Sequence, residues 1–302
     1  MKIEVIVNAS SGTGENAALK ERLDALFARD GVVANVELAQ SGHKISELAK
    51  RAALGDADIV VAGGGDGTIN SVTSQLLKTK KTLGVLPLGT MNHFAKDLHI
   101  PLELEAAVDT IINGRVVEVD LGEVNDHIFV NNSSLGLYPS IIREREKQQR
   151  LGWGKWPAYV WAAIAVLRRY PFLNVRLDAG GKGFTSRTPF VFIGNNEYEM
   201  ETLNVGGRAC LDAGELSLYV TNRTGRLGLV RLAWRALFGS LRQDKDFLAM
   251  CTKEIWIETR HKRMRVALDG EVTVMEPPLH YRVLAGRLRV MAPANIKTAS
   301  KD

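Results

Sequence analysis

VVAGGGDGTINSV, residues 60–72, carries a β-branched run into three glycines, an aspartate, a fourth glycine and then a helix-like stretch. Glycine is costly to order, so a packed chain keeps a cluster of it where the backbone bends sharply or is approached closely. A strand that ends in such a turn and feeds a helix N-terminus has the form of a phosphate cradle, with backbone N–H groups aimed at an anion. A merely structural βα turn has the same outline. The spacing is neither G-x-G-x-x-G nor G-x-x-x-x-G-K-[ST], which excludes the dinucleotide fingerprint and the Walker loop. Asp66 is the anomaly. A carboxylate in a phosphate cradle repels its ligand unless a divalent cation or a protonated hydroxyl intervenes. It also suits the N-cap of a helix beginning near Thr68, and the two roles are compatible.

Outward from this turn, the first 120 residues alternate strand and helix. KIEVIVN, VVANVEL, ADIVVAG and TLGVLPL read as strands, with helices at 15–29, 43–54 and Thr68 to about Leu77. Such alternation implies βαβ crossovers and a doubly wound, mainly parallel sheet. Ligands of such sheets bind beyond the carboxyl ends of the strands, where Asn8, Gly63–Gly67 and Pro87–Thr90 all fall. From about residue 115 the texture changes to successive strand-like runs, among them HIFVNNSSLG, TPFVFIGN, RVALDGEV and HYRVLAGRLRVMA. Strands without intervening helices indicate an antiparallel sandwich or open barrel, with helical insertions expected at 139–170 and 225–238. The expected domains are 1–123 and 124–295.

The composition, 45% hydrophobic and 24% charged over 302 residues, is that of a globular protein with two cores. Cys210 and Cys251 are too few for a disulfide framework and too far apart for a zinc signature, so buried thiols in a reducing compartment are expected. The opening MKIEVIVNAS reads as a short strand rather than a leader, and a cytoplasmic chain is expected. A net charge of +5 favours anionic partners without choosing among nucleotide, nucleic acid and membrane.

Three further stretches carry chemistry. In GVLPLGTMNHFAKDL, 84–98, Pro87 and Gly89 set a turn and Thr90 or Asn92 caps a new helix, adding donors at the same sheet edge. NASSGTG, 8–14, offers Asn8, Ser10 and their neighbours either to an adenine or ribose or simply to a flexible turn. In ALDGEV, 267–272, Asp-Gly signals a hairpin turn and sets two carboxylates, Asp269 and Glu271, on the strand-rich half.

Taken together, GGGDGTIN, then PLGTMNHFA some twenty residues on, NASSG upstream and LDGE near the C-terminus resemble the diacylglycerol kinase catalytic family, which includes sphingosine kinases and bacterial lipid kinases. GGDGT alone is shared with NAD kinases and phosphofructokinases; PLGTxNxFA is much more specific. The resemblance spans essentially the whole chain in order. It implies an ATP-dependent lipid kinase with an α/β nucleotide domain, a β-rich lipid-substrate domain and the active site between them. In nucleotide binding it implicates the loop of Gly64, Gly65, Asp66, Gly67, Thr68, Ile69 and Asn70, together with Asn8, Ser10 and Thr90. Glu271 matches the family's proton acceptor, with Asp66 and Asp269 the other catalytic candidates, and Asp120 and Asn92 fall near the substrate cleft. ATP and Mg²⁺ are the implied cofactors, the catalytic Mg²⁺ being held by Asp66 through the phosphates.

Two departures stand out. Many bacterial members carry a threonine after the second strand, whereas ELAQSGHK keeps Gly42–His43, is one residue short and offers only Ser41. Members also often show DDG in a structural magnesium loop; here LDAGEL, 211–216, retains Asp212 but has Ala213 in place of the second aspartate. That site is expected to be altered or absent.

A lipid acceptor requires access from a bilayer. WGKWPAYVWAAIAVLRRYPF, 153–172, is too short in its apolar run to span one, but its aromatics and basic flanks, including Arg168 and Arg169, suit a membrane-surface element. A core helix fits the same pattern. The expected partners are therefore a lipid alcohol, an anionic membrane surface and a second copy of the chain in a homodimer, and not nucleic acid. The alternatives are a kinase of a soluble acceptor such as NAD on the same scaffold, or a non-catalytic nucleotide-binding protein.

Overall fold

A computed structural model describes residues 1–9, 15–29, 31–137, 139–140, 161, 172–198, 208, 210–221 and 247–296. In chain order the first elements are β1 (Lys2–Asn8), α1 (Glu15–Phe27), β2 (Val33–Ala39), α2 (Gly42–Leu54), β3 (Ile59–Gly64), α3 (Asp66–Leu76), β4 (Thr82–Pro87), α4 (His93–Asp97), α5 (Leu104–Asn113) and β5 (Arg115–Val124). Strands then predominate: β6 (His127–Phe129), β7 (Asn132–Gly136), β8 (Leu173–Ala179), β9 (Lys182–Thr188), β10 (Phe190–Asn195), β11 (Leu216–Thr221), β12 (Phe247–Thr252), β13 (Glu254–Thr259), β14 (Met264–Leu268), β15 (Glu271–Met275) and β16 (Leu279–Ala292).

Two compact units emerge. Unit 1 comprises Met1–Asp120, Cys210–Asp212 and Ala285–Asp302; unit 2 comprises Leu121–Ala209 and Ala213–Leu284. The C-terminal segment belongs to unit 1, which no composition shift announces.

In unit 1 the strand order is β2-β1-β3-β4, all parallel, and β16 adds beside β4 through Val290 and Leu83. β3 and β4 are buried at every position, as the continuous apolar runs of central parallel strands require. From β1 the chain steps outward to β2 and then back across to β3, so its crossovers lie on opposite faces. Accordingly α2 packs with α3, and α1 with α5. The order reverses between β1 and β3, the position at which an open sheet leaves a crevice for a ligand.

Unit 2 is an antiparallel β-sandwich. One layer runs β12-β11-β10-β7-β14-β15; the other joins the first half of β16 to β13, β8 and β9. Val175, Leu177, Ile255 and Tyr281 from one layer meet Leu135, Ile193, Leu218 and Val266 from the other in a closed core. Burial raises the pKa of the Tyr281 hydroxyl far above its usual range, and its contact at 2.9 Å with the Ser133 Oγ satisfies it as a neutral group. The insertions expected at 139–170 and 225–238 lie outside the described residues, apart from 139–140 and Trp161, which are helical.

Candidate active site

The turn of residues 63–67 is built by contact rather than by unusual dihedrals. Gly65 has φ −88°, a conformation open to any residue. What the glycines provide is room. A Cβ on Gly64 would stand 2.4 Å from Thr68 Oγ1, and one on Gly89 would stand 2.4 Å from Gly65 Cα and 2.7 Å from Asn92 Oδ1. The β3–α3 turn and the β4–α4 turn are therefore laid glycine on glycine.

Asp66 ties the same two turns together. α3 starts at Asp66, two residues earlier than the sequence suggests, with Gly65 at the N-cap and no side-chain cap. The Asp66 carboxylate instead accepts from His93 N at 3.3 Å and Phe94 N at 3.2 Å, the first two amides of α4. It caps the neighbouring helix, a stabilising placement for an anion at a helix N-terminus. Asn92, held at φ +51°, knots its own turn: its amide donates to Pro87 O (3.1 Å) and Gly89 O (2.9 Å), and its Oδ1 accepts from Gly89 N (3.0 Å). Asparagine tolerates that left-handed backbone better than most residues. Thr90, between these anchors, is exposed.

The third loop arrives at the same point. The Asn8 amide, at the end of β1, donates to Thr68 Oγ1 at 3.2 Å. Asn8, Gly64–Thr68 and Gly89–Asn92 are thus brought together at the reversal of strand order, around the N-terminus of α3, whose first amides project from the helix. Ile69 is fully buried, so only its backbone faces this region, while Asn70 receives the Ser74 hydroxyl on its carbonyl at 2.9 Å. Ser10 lies outside the described residues. Ser41 is the side-chain cap of α2, accepting from Lys44 N at 3.2 Å.

Asp120, 2% exposed, accepts from Gly286 N at 2.7 Å, and its own N–H donates to Leu211 O at 2.8 Å. Asp212 follows in that short stretch, half-buried.

In unit 2, Asp269 (φ +47°) and Gly270 (φ +89°) make the two-residue hairpin turn that Asp-Gly signals, with Leu268 paired to Glu271. The Asp269 carboxylate does not stand free. Its Oδ2 accepts from Val130 N (2.7 Å), and its Oδ1 accepts from Asn131 N (2.8 Å) and Asn132 N (2.9 Å). Glu271, two residues on, is exposed at the head of β15. Sequence reasoning missed the polar partners of this segment. Arg208, Tyr198 and Asn195 all bond to the backbone of 130–131. The trace of Asn195 and Tyr198 in the sequence is the polar cluster GNNEYE at the end of a strand-like run, and Arg208 lies in neither that stretch nor VNNSS.

Residues 2–124 match the model of the diacylglycerol kinase catalytic domain, and residues 139–292 match that of the YegS C-terminal NAD kinase beta sandwich-like domain. Residues 2–124 are a diacylglycerol kinase catalytic domain, and through 139–292 the chain belongs to the YegS C-terminal family. A diacylglycerol kinase of Bacillus subtilis (strain 168) is 28% identical over 288 residues, covering 91% of each chain. One from Staphylococcus carnosus (strain TM300) is 24% identical over 300 residues, covering 98% of this chain and 96% of the other. A crystal structure of a putative diacylglycerol kinase from Bacillus anthracis str. Sterne superposes with a TM-score of 0.74 at 23% identity, covering 98% of both chains. That likeness establishes the fold, an α/β domain followed by an antiparallel β-sandwich. The family makes the chain a kinase, and among the described residues no helix is long and apolar enough to cross a membrane.

Proposed function

We propose that this family member transfers the γ-phosphate of ATP to a lipid hydroxyl, with a diacylglycerol-like or sphingoid-like acceptor. The observation that carries this reading is the cross-tied pair of glycine turns, Gly65 on Gly89 with Asp66 bonded to α4, gathered with Asn8 at the helix N-terminus where the strand order reverses. ATP bound with Mg²⁺ supplies the phosphoryl group and the cation that offsets its charge. The chain's part is to present amides to the phosphates and hold the nucleotide in one register. Asp66 fits a Mg²⁺ ion by its chemistry, because a carboxylate oxygen at a phosphate-binding turn is the kind of hard ligand that ion takes. One carboxylate beside phosphate oxygens and water is a common magnesium set. Glu271 is the residue we assign to accept the proton of the substrate hydroxyl, and its exposed position at a strand end suits a group that must meet substrate.

We further propose contact with an anionic membrane surface through 153–172. Most of that segment lies outside the described residues, but Trp161 within it is 46% exposed, which suits an interfacial anchor. The decisive experiment incubates the purified chain with labelled ATP, Mg²⁺ and a panel of lipid alcohols in mixed micelles, with NAD as the soluble control. Label in a lipid alcohol and none in NAD is expected. Label in NAD alone would overturn the lipid assignment in favour of a soluble acceptor.

A further inference from the structure

Arg208 is a buried cation of unit 2 that takes no part in the chemistry above. It is 8% exposed. Its Nη1 donates to Val130 O at 2.8 Å and to Asn195 O at 3.3 Å, and its Nη2 donates to Asn131 Oδ1 at 3.1 Å. A buried guanidinium is tolerated only when oxygens surround it. Here two backbone carbonyls and one side-chain amide oxygen, from two separate segments, converge on it. Oxygens of these kinds are what proteins give to a hard divalent cation.

The same segments run into the loop for which the family resemblance implies a structural magnesium. Asn196, next to Asn195, accepts from Ala213 N on its Oδ1 at 3.1 Å, and its own N–H donates to Glu215 O at 3.0 Å. In that loop Ala213 brings no side-chain oxygen. The Asn196 Nδ2, buried and with no partner among the described residues, is a donor, the wrong polarity for a neighbouring cation. Nor do the described residues contain a group of three or more His, Cys, Asp or Glu able to hold a metal ion. Of the two aspartates that the resemblance implies for that loop only Asp212 is present, and the Asn196 donor faces the wrong way for a cation, so the described residues do not complete the structural Mg²⁺ set.

We propose that the Arg208 guanidinium is the resident cation of unit 2, fastening Val130–Asn131 to Asn195 in place of a structural divalent ion, so that the ligand-free fold is independent of divalent metal. The electrostatics agree. The peptide units of 130–132 give their N–H groups to the Asp269 carboxylate, while Val130 O takes the Arg208 cation, so the segment's dipoles lie between opposite charges.

The test uses the dialysed, nucleotide-free full chain. Metal content is read by elemental mass spectrometry, and the melting temperature is read in EDTA, in MgCl₂ and in CaCl₂. The expected result is no stoichiometric metal and melting temperatures that agree within about 1 °C. A bound ion present at about a hundred times its dissociation constant would instead raise the melting temperature by roughly 5–10 °C. That shift, or about one metal per chain, would overturn the proposal. Arg208→Met is expected to melt roughly 5–15 °C lower, because the oxygens lose their cation, with Arg208→Lys in between because it keeps charge without the fork. Wild-type melting in Arg208→Met would also overturn it. If that variant does not fold, the metal content and metal response of the wild type decide.

Discussion

Replacing Gly89 by alanine probes the contact on which the nucleotide reading stands. The new Cβ would lie 2.4 Å from Gly65 Cα, 2.7 Å from Asn92 Oδ1 and 3.0 Å from Gly65 N. Ordinary carbon contacts begin near 3.5 Å, so the turns must part by about 1 Å against backbone that has no rotamer to yield. Overpacking of that kind costs about 1–3 kcal/mol. Parting the turns also stretches the 3.2–3.3 Å bonds from Asp66 to α4, adding about 1 kcal/mol. The sum, roughly 2–4 kcal/mol, lowers the melting temperature by about 4–16 °C. Gly65→Ala is the matched control. Its Cβ meets only Gly89 Cα at 3.4 Å, and Gly65 has an ordinary φ, so a stability change within about 1 kcal/mol is expected. Thermal unfolding of both variants, with ATP affinity by fluorescence titration, makes the measurement. Gly89→Ala should lose at least tenfold in ATP affinity as the cradle opens, a change of about 1.4 kcal/mol. Equal stability of the two variants, or unchanged ATP affinity in a destabilised Gly89→Ala, would refute the reasoning.

Asp66→Asn should lower turnover by more than about 10² and cost about 1–2 kcal/mol of stability, since an amide keeps one acceptor for α4 and turns a donor on the other; a folded variant with near-normal turnover would leave Asp66 as a cap alone. Glu271→Gln should keep ATP affinity while turnover falls by roughly 10²–10⁴, with equal losses in both placing the residue on the nucleotide side instead. Asp269→Asn should lose stability as well as rate, about 2–4 kcal/mol in thermal unfolding, because one oxygen of an anion serving three amides becomes a donor. Binding to anionic vesicles should weaken as salt rises and in Arg168→Gln/Arg169→Gln, at about 1 kcal/mol per charge, and salt-insensitive binding would remove the membrane role from 153–172.

Much of the fold was legible because its signals are local. Continuous apolar runs mark β3 and β4, an Asp-Gly pair marks the β14–β15 hairpin, and glycine at strand ends marks the carboxyl edge of the sheet. α5 has no side-chain cap to announce it, although its inner face is regular, with Ala107, Val108 and Ile111 buried. The return of β16 to unit 1 was not legible, since a strand's partners are set by tertiary pairing and a fourteen-residue run carries no mark of where one unit ends. The positions of the site residues were readable as far as chain order fixes them. What each side chain bonds to was not. Asp66 reads as a cap for its own helix and caps another, because the acceptor chosen depends on how near a second turn can come, and two facing glycines decide that.

The motif carboxylates divide by length of side chain. Asp66, Asp120 and Asp269 each accept backbone amides: two from α4, one from Gly286 and three from residues 130–132. An aspartate sits close to the main chain and is fixed by few torsions, so little entropy is lost when it fastens one backbone segment to another. Glutamate is the poorer fastener and the longer reach. Glu271, at a strand end two residues after an aspartate that fixes its hairpin, is exposed, and its backbone is held by the ladder to Leu268. In LDGE, on this argument, the aspartate sets the position of the glutamate and the glutamate meets the substrate hydroxyl. Loss of the first should therefore appear in unfolding as well as rate, and loss of the second in rate alone.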